Sequence, residues 1–311
     1  MSARLSRALS LFSRRAYSAP VAPRLAASSG FAGAGLVAAS VAAFSLASPS
    51  SAAAAAAGAA RGAAAGADPV GSVVVYQYEA CPFCNKLRAY LDYTRTPYVL
   101  VEVDPVLKRE LAWSEDYKKV PVAIVRGRRV TDSARIIATL EAARARPVGD
   151  GSAQEAAFLA WADERWVRLL TVNIYRSQAE SLQAFDYMTR RNFAPWAATA
   201  AKWFGAVVHA HVIQGRLKAK LGVQDERAAL FAAADEWAAA LGGRDFLGGA
   251  APNLADLSVF GTLRAIDGLD ASRDLLAARP GEFAAWVARM RTRVGESALV
   301  HRVFEKAVVP G

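Results

Sequence analysis

The 311-residue sequence predicts an α/β domain followed by an all-helical domain, both behind a long N-terminal leader. Three observations lead there. Short apolar runs alternate with amphipathic stretches over residues 72–147, every periodic stretch over 148–311 reads as helix, and residues 1–71 lack the make-up of a packed unit.

The first 67 residues contain no Asp or Glu and are rich in Arg, Ser and Ala, the composition of an organellar presequence. Six arginines (4, 7, 14, 15, 24, 61) against Asp68 supply +5 of the formal net charge of +10. The remainder is mildly basic and shows no basic stripe interleaved with aromatics, so nucleic-acid binding is not expected. "RRAYSAP" resembles a matrix-processing site, with Arg15 two residues before Tyr17. A mitochondrial location follows as the expectation, with the chloroplast as the alternative. Gly30 to Ala47 is an 18-residue run without a charge, roughly 27 Å as a helix and just enough for a thin bilayer. Its Ala and Gly content leaves a membrane anchor and an Ala-rich linker both open, and "SAAAAAAGAARGAAAGA" after it reads as spacer.

"SVVVYQY" suits a strand covered on both faces. "NKLRAYLDY" has helical spacing, with Leu87, Tyr90 and Leu91 on one side and Lys86 and Arg88 elsewhere. "PYVLVEVD" is a second strand and "LKRELAWSEDY" a short, solvated helix. "VPVAIVRGRRVTDS" gives two strands turning at Gly127, and "DSARIIATLEAAR" a helix capped by Asp132 or Ser133. This order, βαβ, helix, ββ hairpin, helix, is that of a thioredoxin-like (glutaredoxin) domain. "RARPVGDGSA" is a linker. Beyond it Phe158, Ala162, Trp166, Leu169 and Leu170 mark an apolar stripe, and Trp161, Trp166, Trp196, Trp203 and Trp237 sit at core spacing. In "PNLAD", Asn253 and Asp256 are placed to close a capping box. A thioredoxin-like domain followed by such a helical one is the glutathione-transferase architecture.

Cys81 and Cys84, in "EACPFCNK", are the only cysteines. A structural zinc site takes about four protein ligands, and the histidines, His209, His211 and His301, fall in the other domain. His209 and His211 project about 200° apart on a helix, so they do not share a metal; no metal ligands are expected. A structural disulfide would close a tiny loop in a reducing compartment. A cysteine at a helix N-terminus, by contrast, has its thiolate stabilised by the dipole and free N–H groups, and Pro82 suits the first helical position. Cys81 is expected as the exposed, activated thiol and Cys84, one turn on, as the more covered second thiol. Phe83 between them, exposed by position, is expected to line a substrate cleft. Pro121 stands where thioredoxin folds keep a cis-proline facing the cysteines, freeing the backbone of Val120 to pair with an extended peptide such as glutathione. Asp132 and Ser133, at a helix start, offer an anion site for a glutamyl carboxylate.

"YQYEACPFCNKLRAYLDY", "PYVLVEVDPVLKREL", "YKKVPVAIV" and "DSARII", with "NIYRSQAESLQAFDY", "PNLADLSVFGTLRAIDGLD" and "WVARM" in the helical domain, closely resemble the type-2 membrane-associated prostaglandin E synthases. The resemblance spans essentially all of 72–300. It implies isomerisation of a prostaglandin endoperoxide to a 9-keto, 11-hydroxy product, with Cys81 as catalytic thiol, Tyr78 as its neighbouring phenol, and Val120, Asp132 and Ser133 in glutathione-contacting segments. It further implies haem bound with glutathione sulfur as axial ligand, a removable N-terminal hydrophobic segment, and a homodimer. Animal members carry a longer insertion after the hairpin, which "LEAARARPVGDGSAQEAA" crosses directly here. Two other readings of the pair stand beside the isomerase: a dithiol oxidoreductase in which Cys84 resolves, and a non-catalytic haem–glutathione or iron–sulfur binding protein.

Overall fold

The structure, a computed structural model, describes residues 73–104, 107–189, 218–219 and 221–303. The presequence, the Gly30–Ala47 run, His209, His211, Trp196 and Trp203 lie outside the described residues.

β1 (Val73–Gln77) leads through a short loop into α1 (Pro82–Tyr93), which returns to β2 (Tyr98–Glu102), parallel to β1. β3 (Val122–Val125) runs antiparallel to β1, and β4 (Arg128–Thr131) antiparallel to β3 through the turn at Arg126–Gly127. α2 (Ser133–Glu141) completes this part. Every residue of β1 and β2 is buried, as strands covered on both faces require. On one face Val73, Val75, Tyr98, Leu100, Ala123 and Val125 pack in a core shared with α1 and α2. On the other, Val74, Tyr76, Val99, Val101 and Val122 pack beneath the 108–120 segment.

That segment departs from the expected helix. It holds one 3-10 turn, Arg109–Leu111, entered from Lys108 in the left-handed region (φ 51). Its apolar residues explain why. Leu111, Trp113 and Tyr117 do not share one helical face, yet all three lie against the sheet, Trp113 with its ring 5.2 Å from that of Tyr76. Ser114 Oγ donates to Tyr117 O, and Arg129 on β4 grips Asp116. Burial of three side chains outweighs helical periodicity.

The helical domain comprises α3 (Ala153–Trp161), a π-helical turn (Ala162–Trp166), α4 (Val167–Ile174), α5 (Gln178–Thr189), α6 (Glu226–Leu241), α7 (Leu254–Leu263), α8 (Asp270–Ala278) and α9 (Glu282–Val294). Trp166, Trp237 and Trp286 are fully buried at its centre, with Trp161 and Phe158 packed alongside. The capping box forms as read: Asn253 Oδ1 accepts from Asp256 N, and Asp256 Oδ2 from Asn253 N. The Asp256 carboxylate also accepts from Leu247 N, Gly248 N and Trp286 Nε1, making this helix start a fully bonded buried centre.

The last described element is not a helix, a second departure. β5 (Leu299–Val303) returns to the α/β domain and pairs parallel with β2, giving the strand order β4-β3-β1-β2-β5. Five residues with a half-exposed pattern carry little local strand signal; the pairing comes from the open edge of β2. The α/β domain is therefore built from both ends of the described chain.

The two parts meet on α1. Gly261 of α7 lies so close that a Cβ there would stand 2.6 Å from Lys86 Cα and 2.9 Å from Asn85 O. Lys86, read from spacing as off the apolar face, is buried in this contact, and its Nζ meets Asp163 of the π-turn at 2.8 Å. Because backbone rather than a flexible side chain blocks the space, Gly261→Ala must separate the helices. It is expected to cost about 1–3 kcal/mol and to lower the thermal midpoint by several degrees, roughly 2–4 °C per kcal/mol for a domain pair of this size; an unchanged melting curve would show that the helices can part freely.

Candidate active site

Cys81 is the N-cap residue of α1, extended at φ −72 and ψ 122, with Pro82 at the first helical position. The loop before it turns tightly, Cys81 N donating to Tyr78 O at 3.1 Å. Asn85, one turn into α1, folds its side chain back so that Nδ2 donates to Glu79 O at 2.8 Å and to Cys81 O at 3.1 Å. The helix thus holds its own entrance, and with it the position of the thiol.

Cys81 and Cys84 are free thiols, Cys81 half-buried rather than exposed and Cys84 wholly buried. Burial alone would raise both. Cys81 is instead lowered, first by the hydrogen bond from the Cys84 thiol, then by the N–H groups of Cys84 and Phe83 at the helix start, which face it without closing a formal cap. Cys84 moves well above the usual thiol range, through burial and then as donor to Cys81. Of the two thiols Cys81 is therefore the one that gives up its proton first, and Cys84 the one that keeps it. Tyr78 is pushed up to about 12 by burial and then by Cys81 and Cys84, so its phenol stays a proton donor throughout the physiological range. Phe83, at the second helical position, is half-buried rather than exposed.

The Val120–Pro121 peptide is cis. Pro121 is buried and Val120 half-buried, and ladder pairing begins at Val122. Asp132 caps α2 at φ 73, its Oδ1 accepting from Ala134 N at 2.9 Å and Arg135 N at 3.3 Å. Ser133 is buried. At the expected anion site, two first-turn donors of α2 thus serve this chain's own carboxylate. Tyr117 links the two halves of the site. It is raised by burial and then by Asp132, Cys81 and Cys84, so its phenol is within electrostatic reach of both ends of the site. The sequence reading passed over Tyr117 because the helix assigned to 107–117 gave it no direction; its place four residues before Pro121 was the available signal. Asn85, hidden as a polar residue in an amphipathic helix, was missed for the same reason. Among the described residues, no group of three or more His, Cys, Asp or Glu is placed to hold a metal ion.

The hydrogen bond from Cys84 predicts how Cys81 reacts. In Cys84→Ala the donor is gone while burial remains, so the pH midpoint for alkylation of Cys81 by iodoacetamide should move upward and its rate at pH 7 fall about three- to tenfold. An unmoved profile would assign the low thiol value to the helix start alone.

Comparison with known proteins agrees with this architecture. Residues 75–148 match the family model of the glutathione S-transferase N-terminal domain, and residues 206–289 that of the glutathione S-transferase C-terminal domain. Among solved structures, a beta-etherase from a Sphingobium strain superposes with a TM-score of 0.51 at 18% identity, covering 70% of this chain and 94% of its own, a likeness of fold. Prostaglandin E synthase 2 of Danio rerio is 35% identical over 268 residues, covering 70% of each chain. That of Mus musculus is 33% identical over 282 residues, covering 74% of this chain and 72% of its own. The chain belongs to the prostaglandin E synthase 2 family.

Proposed function

We propose that this protein is a glutathione-dependent thiol isomerase acting on a lipid endoperoxide, with a prostaglandin endoperoxide as substrate and a prostaglandin E as product. The observation that carries the reading is the placement of Cys81 at the start of α1, in a tight turn from Tyr78, with its thiol lowered by the Cys84 thiol and the helix-start N–H groups and the Tyr78 phenol pushed up. The Cys81 thiolate attacks one endoperoxide oxygen; an S–O bond forms, the O–O bond breaks, and the second oxygen leaves as an alkoxide that takes a proton from Tyr78. Loss of the proton on the carbon bearing the sulfur-linked oxygen then forms the carbonyl and expels the thiolate. One proton enters and one leaves, so the reaction is a net isomerisation. Phe83 walls the apolar side of the cleft. Glutathione lies extended along Val120 and Pro121, with its glutamyl ammonium at Asp132 and the adjoining carboxylate near the Ser133 end of α2.

Both family models named for glutathione S-transferase domains support the peptide ligand, and the Prostaglandin E synthase 2 relatives support the reaction class. The haem reading rests on the family resemblance alone, with glutathione sulfur as the axial ligand, and no step is routed through haem. The composition of residues 1–71 supports mitochondrial import, with the chloroplast as alternative, and the uncharged Gly30–Ala47 run supports membrane association of the precursor; among the described residues no helix is long and apolar enough to cross a membrane. A homodimer is the assembly proposed.

A second reading is favoured by one observation, the proton-sharing contact between the two thiols: a dithiol reductase in which Cys81 attacks a disulfide and Cys84 resolves it. One pair of variants separates the two. Cys81→Ser is expected to lose at least 100-fold in endoperoxide isomerisation, whereas Cys84→Ser should keep isomerisation within about tenfold and lose turnover on protein disulfides. Isomerisation that survives Cys81→Ser would overturn the first reading, and disulfide reduction that survives Cys84→Ser the second.

A further inference from the structure

β5 brings a guanidinium to the back of the thiol loop. Arg302 Nη1 stands 3.3 Å from Glu79 Oε2 and 3.3 Å from Glu102 Oε1, with its side chain only 15% exposed. Glu79 lies two residues before Cys81, and its carbonyl is the group gripped by Asn85. Glu102 is buried at the end of β2, opposite Gln77 of β1, whose Nε2 donates to Glu102 Oε1 at 2.7 Å. Burial raises the Glu102 carboxyl, against the Gln77 hydrogen bond and the Arg302 charge, which act to lower it. Gln77 Oε1, Glu102 Oε2 and Arg302 Nη1 are buried without hydrogen-bond partners, so Arg302 acts on the two carboxylates by charge at 3.3 Å and the cluster is not the most stable filling of its space.

Strand attachment does not account for this ion pair. β5 already has its ladder with β2, and its approach is fixed where Asp92 Oδ1 accepts from Ser297 Oγ and Ala298 N, each at 3.0 Å. What Arg302 adds is a tie between the sheet and the loop. Asn85 holds that loop from the helix side through its backbone, and Arg302 holds it from the sheet side through Glu79.

We propose that Arg302 is a positioning residue for Cys81: carried in by β5, it binds Glu79 to Glu102, fixes the Tyr78–Cys81 loop, and offsets two carboxylates behind the thiol. The proposal rests on Cys81 being the reactive thiol and is independent of the reaction that the thiol serves. The titratable and charged groups that act on the site are Cys84, Tyr78, Tyr117, Glu79, Glu102, Asp104, Glu110, Asp132, Arg88 and Arg302. Of the two cations, Arg302 is the one paired with Glu79 of the thiol loop.

The test is the pH profile of Cys81 alkylation by iodoacetamide, read by mass spectrometry of the Cys81 peptide, in otherwise unaltered chain. In Arg302→Gln the loss of this positive charge beside Glu79 and Glu102 should move the midpoint upward and slow alkylation at pH 7 about three- to tenfold, and Arg302→Lys should restore it to within about twofold. The effect of R302Q should shrink by at least half when Glu79→Gln is combined with it. A superposable R302Q profile in folded protein, a failure of R302K to restore it, or a full R302Q effect in the E79Q background would each overturn the proposal. Should R302Q not fold, E79Q alone reads the same tie from the loop: hydrogen exchange at the Cys81 amide should quicken about tenfold, and unchanged exchange would overturn it. Because the readout is a thiol rate, its failure leaves the isomerase assay untouched, and the reverse holds too.

Discussion

The architecture hangs on the buried carboxylate of Asp92, at the end of α1. Its Oδ1 accepts from the Tyr98 hydroxyl of β2 at 2.9 Å and from Ser297 and Ala298 before β5; its Oδ2 accepts from Arg264, after α7, at 2.9 Å. A buried carboxylate is tolerated only when its lone pairs are used, and here the donors come from the α/β domain, the helical domain and the returning strand. One unmet charge would therefore loosen three junctions at once. The Gly261 approach completes the arrangement by letting α7 lie backbone-to-backbone on α1. Helix α1 thus has sheet beneath it, a helical domain against its side and the thiol at its start, and whatever fixes its axis fixes the thiol.

The site uses this rigidity economically. Lowering a half-buried thiol normally needs a cation or a helix dipole strong enough to offset desolvation. Here the principal donor is another thiol, itself kept protonated because it is buried more deeply. The asymmetry between two chemically identical groups comes from one helical turn: Cys81 sits before the first turn and Cys84 within it, wholly buried. Tyr78 shares the desolvation, which makes it a donor at any pH the protein meets.

Features governed by a few adjacent residues were legible in the sequence. The Cys81–Pro82 helix start, the proline at 121, the Asp132 cap and the Asn253–Asp256 box each depend on local backbone chemistry, and each stands where it was read. Features decided by distant partners were not. Lys86 looks like a solvated helix residue until Asp163 is brought against it. Leu111, Trp113 and Tyr117 read as a helix until the far face of the sheet has to be covered. Leu299–Val303 has too few alternating residues to declare a strand, and it is the vacant edge of β2 that makes it one. Within the site the same division holds: Cys81, Cys84 and Tyr78 come from one local string, whereas Tyr117 and Arg302 reach it only through tertiary packing.

The fifth strand changes the order in which the molecule can be finished. During synthesis or translocation from the N-terminus, β1 to β4 and the whole helical domain emerge before Leu299–Val303 exists. Until then β2 is an open edge, Glu102 lacks its cation and the Asp92 carboxylate lacks two of its donors. Without β5 the sheet has four strands and the thiol loop lacks its Arg302 contact. The full surroundings of the thiol loop are thus an end-of-line property, complete only when a strand more than two hundred residues downstream of β1 has been threaded back, so a chain clipped ahead of residue 299 would carry both cysteines without Arg302 behind them.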